Sequence, residues 1–287
     1  MARQAATSLS RDFHSNIDII PLAFMTAISD STGHPQLNFA NQGDKCTTFD
    51  GTQLLNCPEL ATDIPLCQTQ YNKTILLSIG GATYTEGGFA NATAATTAAD
   101  RIWSMFGPPP ANLTTNLTTT AAPVLRPFGA AQLDGFDFDF ESTVSNISPF
   151  AQRLRSLMTA ASRTDARPRL LTAAPQCPYP DAADNAFLSG PDAVAIDAVF
   201  VQFYNNYCGV QSFVPNATDQ WNFNYAAWDT WARTEAAQAN AGFLASVKAE
   251  LVGIEEEESE AAEEGEGESC GGYGDDDRTR RGVEFRA

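Results

Sequence analysis

The run DGFDFDFE at residues 134–141 sets four carboxyl groups and three phenylalanines into eight positions. Side chains on a strand alternate faces, so Phe136, Phe138 and Phe140 point one way and Asp137, Asp139 and Glu141 the other. Three rings in register demand an apolar layer against them. Three acids on the other face are out of place in an ordinary apolar core, because isolated ionised carboxylates are costly to bury. A strand of an α/β barrel accommodates both faces. The rings pack beneath the helix layer, and the acids enter the interior, where they persist by sharing protons and hydrogen bonds.

Same-face neighbours on a strand lie roughly 6.6 Å apart, close enough for carboxyl groups to lean together. Adjacent carboxylates cannot all ionise, so at least one holds its proton above the ordinary range. Glu141, at the C-terminal end of the run, emerges at the mouth of the barrel, which is where barrel active sites are built. A protonated Glu there is what general-acid cleavage of a glycosidic bond requires. A DxDxE run could instead ligate a hard cation. Calcium loops, however, set turn-forming residues and a sharp-turn Gly between their ligands, whereas every spacer here is Phe, and no metal is expected. A purely structural acid cluster is the other alternative.

Four further apolar or aromatic runs read as buried strands, at residues 17–24, 74–80, 168–174 and 197–204, beside the acid run at 133–140. Helical material lies between them, at 91–107 and at 148–162, where Phe150, Leu154, Leu157 and Met158 recur at helical spacing. Strands alternating with helices imply parallel βαβ units, and a (β/α) barrel is the expected fold. No GxGxxG or GxxxxGK[ST] loop is present, and no cofactor is expected. The Pro-, Thr- and Asn-rich stretch at 107–123 reads as an exposed insertion. Residues 1–252 form the expected catalytic unit. Residues 253–287 are acidic and of low complexity, and are expected to be disordered. The net charge of −18 argues against nucleic acid as a partner, since phosphate backbones are bound by clustered Lys and Arg. No apolar run approaches the roughly 20 residues of a membrane-spanning helix.

With these residues in view, the chain resembles glycoside hydrolase family 18, the chitinases. Its DGFDFDFE is similar to the family's DxxDxDxE signature, with Asp134, Asp137, Asp139 and Glu141 at the four positions. SIGG at 78–81 resembles the family's SxGG at the end of the third strand. LTAAPQCPYPDA at 171–182 and FVQFYNNYC at 200–208 resemble the fifth and sixth strands of the class III chitinases of plants and fungi. The resemblance implies an α/β fold of the (β/α)8 TIM-barrel type and retaining, substrate-assisted hydrolysis of β-1,4-N-acetylglucosamine linkages, in which the substrate's N-acetyl carbonyl is the nucleophile. It assigns Glu141 to protonating the scissile oxygen, Asp139 to orienting the acetamido group, and Asp137 to sharing the proton behind it. Tyr204 would hydrogen-bond the acetamido oxygen, although from the residues alone an isolated Tyr in VQFYNN reads as core. Gln202, Asn205, Gly81, Phe24 and Gln176 are the implied substrate-binding residues, and Asp134, Ser78 and Gly80 belong to the structural motif. Implied disulfides are Cys46–Cys57 and Cys177–Cys208, whereas Cys67 lacks the first-helix partner usual in the family and is expected to be free.

The departures lie at the ends. The family's first strand, ending in YWGQ, and its seventh and eighth strands are missing or degraded, so the expected barrel is incomplete and the chain looks truncated at both ends. Residues 17–24 and 198–204 would then be exposed sheet edges. The N-terminus has no apolar segment of the kind that directs secretion. Six N-x-S/T sequons, at Asn72, Asn91, Asn112, Asn116, Asn146 and Asn216, and six cysteines nonetheless suit an extracellular glycoprotein, as the resemblance implies. A monomer acting on chitin or chito-oligosaccharides is the expected form. The alternatives are a catalytically inert chitin-binding relative and a non-functional fragment.

Overall fold

The computed structural model describes residues 18–109 and 124–236. The stretches 1–17, 110–123 and 237–287 lie outside the described residues. With them fall the expectations for the N-terminus, the Pro/Thr/Asn-rich insertion, Asn112, Asn116, Cys270 and the acidic end.

Five parallel strands form a curled sheet. They are β1 (Ile19–Ala27), β5 (Thr74–Gly80), β6 (Gly135–Asp139), β7 (Leu170–Ala173) and β8 (Ala198–Val199). A short β2 (Gln36–Leu37) pairs antiparallel with β1, giving the order β2-β1-β5-β6-β7-β8. No seventh or eighth parallel barrel strand is among the described residues. A separate hairpin joins β3 (Thr47–Thr48) to β4 (Leu55–Asn56). The helices are α1 (Pro58–Gln70), α2 (Ala92–Phe106), α3 (Ile147–Asp165), α4 (Asn185–Leu188) and α5 (Tyr225–Thr234). The described fold is thus an arc of an α/β barrel with the acid strand at its middle.

The phenylalanine expectation holds. Phe136, Phe138 and Phe140 are all buried, and they meet the helix layer through Trp103 on α2 and Phe150 on α3, with ring centroids 6.5 Å and 6.1 Å apart for Trp103–Phe136 and Phe138–Phe150. Each buried ring contributes about 2–3 kcal/mol. α2 starts where Asn91 accepts a hydrogen bond from the Ala94 amide, satisfying one orphan donor of the first turn. It buries Ala95, Ala99, Ile102 and Phe106, residues at i, i+4, i+7 and i+11 that share one helical face.

Three expectations are corrected. β8 is confined to Ala198–Val199 rather than 197–204, because it has a strand neighbour on one side only among the described residues. Beyond it the chain stays extended through Gln202, held by the amide of Phe200 on the Ala173 carbonyl, the amide of Gln202 on the Pro175 carbonyl, and a lone bridge of Gln176 with Gln202. The edge at β1 is not open along its upper half. Met25 and Ala27 pair with Leu37 and Gln36, and Phe24 and Asn38 exchange both backbone hydrogen bonds. Finally, Cys67 is disulfide-bonded rather than free, with its side chain on the buried face of α1. Cys46–Cys57 and Cys177–Cys208 form as the resemblance implied.

The lead-in to β6 is organised by Arg126, whose buried guanidinium donates to four carbonyls. These are Ser104 (2.5 Å), Gly107 (2.7 Å), Gly129 (2.7 Å) and Ala131 (2.9 Å). Burial holds its pKa below the usual value.

Candidate active site

Strand register assembles the site. Ser78 on β5 stands opposite Asp137 on β6, Gly80 opposite Asp139, and Thr172 on β7 opposite Asp137 from the other side. The Ser78 hydroxyl donates to Asp137 Oδ2 at 2.7 Å and the Thr172 hydroxyl to Oδ1 at 2.6 Å, so both oxygens of this 5% exposed carboxyl are held. Above it, Asp139 is half-buried, and its Oδ1 accepts from Gln202 Nε2 at 2.7 Å. Glu141 follows the strand and faces solvent at the C-terminal end, yet neighbouring protein shields its carboxyl enough to raise its pKa above the ordinary Glu value. The row therefore runs from a buried, doubly bonded acid to a solvent-facing one that retains its proton more readily.

The glycines permit this closeness. A Cβ on Gly80, at φ +129°, would lie 2.1 Å from the Asp139 carbonyl oxygen, and the next amide, of Gly81, donates to that same oxygen at 2.8 Å. At Gly81, with φ +80°, the ring of Phe24 covers the open face, with Cγ 3.0 Å from where a Cβ would stand. Phe24 is presented by a register shift in β1 between Ala23 and Met25, a bulge that re-aims one side chain.

Gln202 donates to the Ala174 carbonyl at 2.9 Å as well as to Asp139. Gln176 sits beside it at the bridge, and its Oε1 accepts from Asn206 Nδ2 at 3.5 Å. Tyr204 is half-buried, and Asn205 is exposed with φ +54°. The structure thus gathers Ser78, Gly80, Gly81, Phe24, Asp137, Asp139, Glu141, Gln176 and Gln202 at the C-terminal end of the sheet, with Tyr204 and Asn205 on the segment that leaves it. Asp134 stands apart, at the opposite end of β6. It accepts from Arg167 Nη2 (2.5 Å) and Nε (2.7 Å), from Gln68 Nε2 (2.8 Å) and from the Ile75 amide (2.8 Å), which makes it an anchor of the sheet rather than part of the site.

Four residues of the neighbourhood were not anticipated. Thr172, in LLTAAP, is one; its hydroxyl on the inner face of a strand was the available signal. Glu86 reaches back from the loop after β5 to accept from the Ile28 amide at 2.5 Å, tying that loop to the end of β1. Asp181 accepts from the amides of Gln176, Ala183 and Asp184 at 3.1, 2.8 and 2.8 Å, while its burial pushes its pKa up. Asp184 is fully buried. Among the described residues no group of three or more His, Cys, Asp or Glu side chains is arranged to hold a metal ion. No helix there is long and apolar enough to cross a membrane.

An acid row along the central strand of a parallel α/β arc, ending in Glu141 at the C-terminal mouth, is the arrangement expected of a barrel-type glycoside hydrolase. The chain belongs to the glycosyl hydrolases family 18, whose family model matches residues 7–261. It is 46% identical over 235 residues to the class III chitinase of Arthroderma benhamiae, covering 82% of this chain and 67% of that protein. It is 45% identical over 221 residues to endochitinase 33 of Trichoderma harzianum, covering 77% of this chain and 63% of that one. The chain therefore spans about two thirds of the length of these relatives. Among solved structures, the xylanase and alpha-amylase inhibitor protein XAIP-II of Scadoxus multiflorus superimposes with a TM-score of 0.55 at 26% identity, over 79% of this chain and 70% of that one.

Proposed function

We propose that the chain is a chitinase that hydrolyses β-1,4-N-acetylglucosamine linkages with retention. The observation that carries this reading is the placement of Glu141 two residues beyond Asp139 at the C-terminal end of β6, where partial burial raises its carboxyl pKa above the ordinary Glu value. Glu141 protonates the scissile oxygen. The acetamido carbonyl of the substrate attacks the anomeric carbon, and the oxazolinium ion that forms leaves Glu141 as the base for the incoming water. Asp139, fixed by Gln202, orients the acetamido group and faces its positive charge. Asp137, bonded on both oxygens, serves as the fixed partner across which the row shares its proton. Tyr204 and Asn205 meet the acetamido group, Gln202 and Gln176 line that subsite, and the Gly81–Phe24 contact shapes its floor. The names of the fungal relatives support chitin or chito-oligosaccharides as the substrate, and the disulfides and the exposed sequon residues Asn72, Asn91, Asn146 and Asn216 suit an extracellular setting. The chain works as a monomer in this reading.

An inert relative is the second reading, favoured by the fold likeness to XAIP-II, a protein named as an inhibitor. Turnover of a soluble chito-oligosaccharide separates the two. The expected outcome is cleavage by wild type and a loss of about 100-fold or more in Glu141→Gln, with the oligosaccharide still bound. Binding without cleavage by wild type favours the inert relative, and a chain without a cooperative unfolding transition would be a non-functional fragment.

A further inference from the structure

Asp184 has 0% exposure, and among the described residues neither of its carboxyl oxygens meets a hydrogen-bond donor. Its backbone is fixed on both sides. The amide donates to Asp181 Oδ1, and three residues on, Phe187 of α4 packs edge-on against Phe138 and Phe140, the outer rings of the acid strand, at 5.2 and 6.5 Å. Asp181 in turn accepts from the amide of Gln176, which bridges to Gln202, whose side chain holds Asp139. The segment carrying Asp184 is therefore physically continuous with the support of Asp139. The charged groups acting on Asp184 are all acids, namely Asp181 on its own segment and Asp139 and Asp137 on β6, and no cation is among them.

We propose that Asp184 is a positioning residue for Asp139 that works only in its uncharged form, keeping the 176–188 segment seated against the acid strand while it carries its proton and releasing that segment when it ionises. A carboxyl without hydrogen-bond donors, facing three acids, is stable in a protein interior only when neutral. Burial and the three acids push its pKa well up. A carboxyl raised in the folded state contributes its full stabilisation below the unfolded value near 3.8, and loses it as the pH climbs through the folded value. The seat of Asp139 is accordingly firm in acid and loosens toward alkaline pH.

Asp184→Asn keeps the shape and stays uncharged at every pH. Hydrogen-exchange protection factors of residues 181–188, taken relative to α3, should fall with rising pH in wild type and stay level in Asp184→Asn. The activity readout rests on the chitinase reading. On a soluble chito-oligosaccharide, kcat/KM of wild type should fall with rising pH by several-fold more than that of Asp184→Asn. Inactive wild type overturns the chitinase reading and leaves the exchange measurement to decide this one. Superimposable exchange and pH profiles in the two proteins overturn the inference. Should Asp184→Asn fail to fold, wild-type protection factors alone decide, and pH-independent protection at 181–188 overturns it.

Discussion

The side-chain amide of Gln202 donates to Asp139 Oδ1 at 2.7 Å while its second hydrogen goes to the Ala174 carbonyl at 2.9 Å. Both donors of that nitrogen are spent, so the amide cannot turn without releasing the acid. Gln202→Leu should remove this hold on Asp139 and leave the Ala174 carbonyl without its donor. We expect kcat on a soluble chito-oligosaccharide to drop at least about tenfold. Stability should fall by only about 1–2 kcal/mol, because a single hydrogen-bonded group is lost. Parallel turnover and urea-unfolding measurements check the split. A variant with wild-type kcat removes Gln202 from the machinery.

The shielding of Glu141 sets the alkaline limb of the pH profile. Its carboxyl pKa is raised by desolvation, and the general acid is active only while protonated. Activity is therefore retained above the ordinary Glu value of 4.5 and lost as the pH rises through the elevated one. A kcat/KM profile with its alkaline limb at or below pH 4.5 contradicts this.

Gly80 tolerates no side chain. Its φ of +129° is open to glycine alone, and a Cβ would sit 2.1 Å from the Asp139 carbonyl oxygen. Gly80→Ala must part β5 from β6 or strain both. We expect a loss of about 3 kcal/mol or more, read as a lower urea midpoint or as failure to accumulate folded protein. Gly43, with open space around its missing Cβ, is the control that should accept Ala at little cost.

The Cys177–Cys208 bridge closes a 31-residue separation and ties the lead-out of β7 to the segment that follows β8. Replacing both cysteines with Ser should cost about 3–4 kcal/mol by the chain-entropy estimate. Cys46–Cys57, with a separation of 11, should cost nearer 3 kcal/mol. Thermal unfolding of the two double variants tests the order, which fails if the shorter loop costs more.

How much of this was readable beforehand differs element by element. β5 is buried along nearly its whole length, so an uninterrupted apolar run betrayed it with its exact ends at Thr74 and Gly80. β6 was readable because period-two alternation of acids and rings has few other solutions. α3 declared itself by helical periodicity, and α2 as helical material between two strands. α1 did not, since Pro65 and several polar residues interrupt its apolar face. β8 was read too long because a strand's extent depends on hydrogen-bonded neighbours, which composition does not reveal. In the site, the acids and SIGG were legible as pattern. The roles of Gln202 and Gln176 were reached only through the family resemblance. Asp181 and Asp184 were invisible, because PYPDAADN has the small, polar composition of an exposed loop. Only the folded packing shows that Asp184 is fully buried.

Arg126 clasps Ser104 and Gly107 on one side of residues 110–123 and Gly129 and Ala131 on the other. The two banks of that stretch are fastened to each other by this side chain, beside the Leu133 amide on the Phe106 carbonyl and the Phe106–Phe128 ring contact. Changes of length or composition in the span are thereby insulated from the acid strand a few residues downstream. That makes it a place where homologues can diverge, or a tag can be inserted, without touching the chemistry. Arg126 supplies four of these ties, so drift that is harmless within the span becomes consequential once it is replaced.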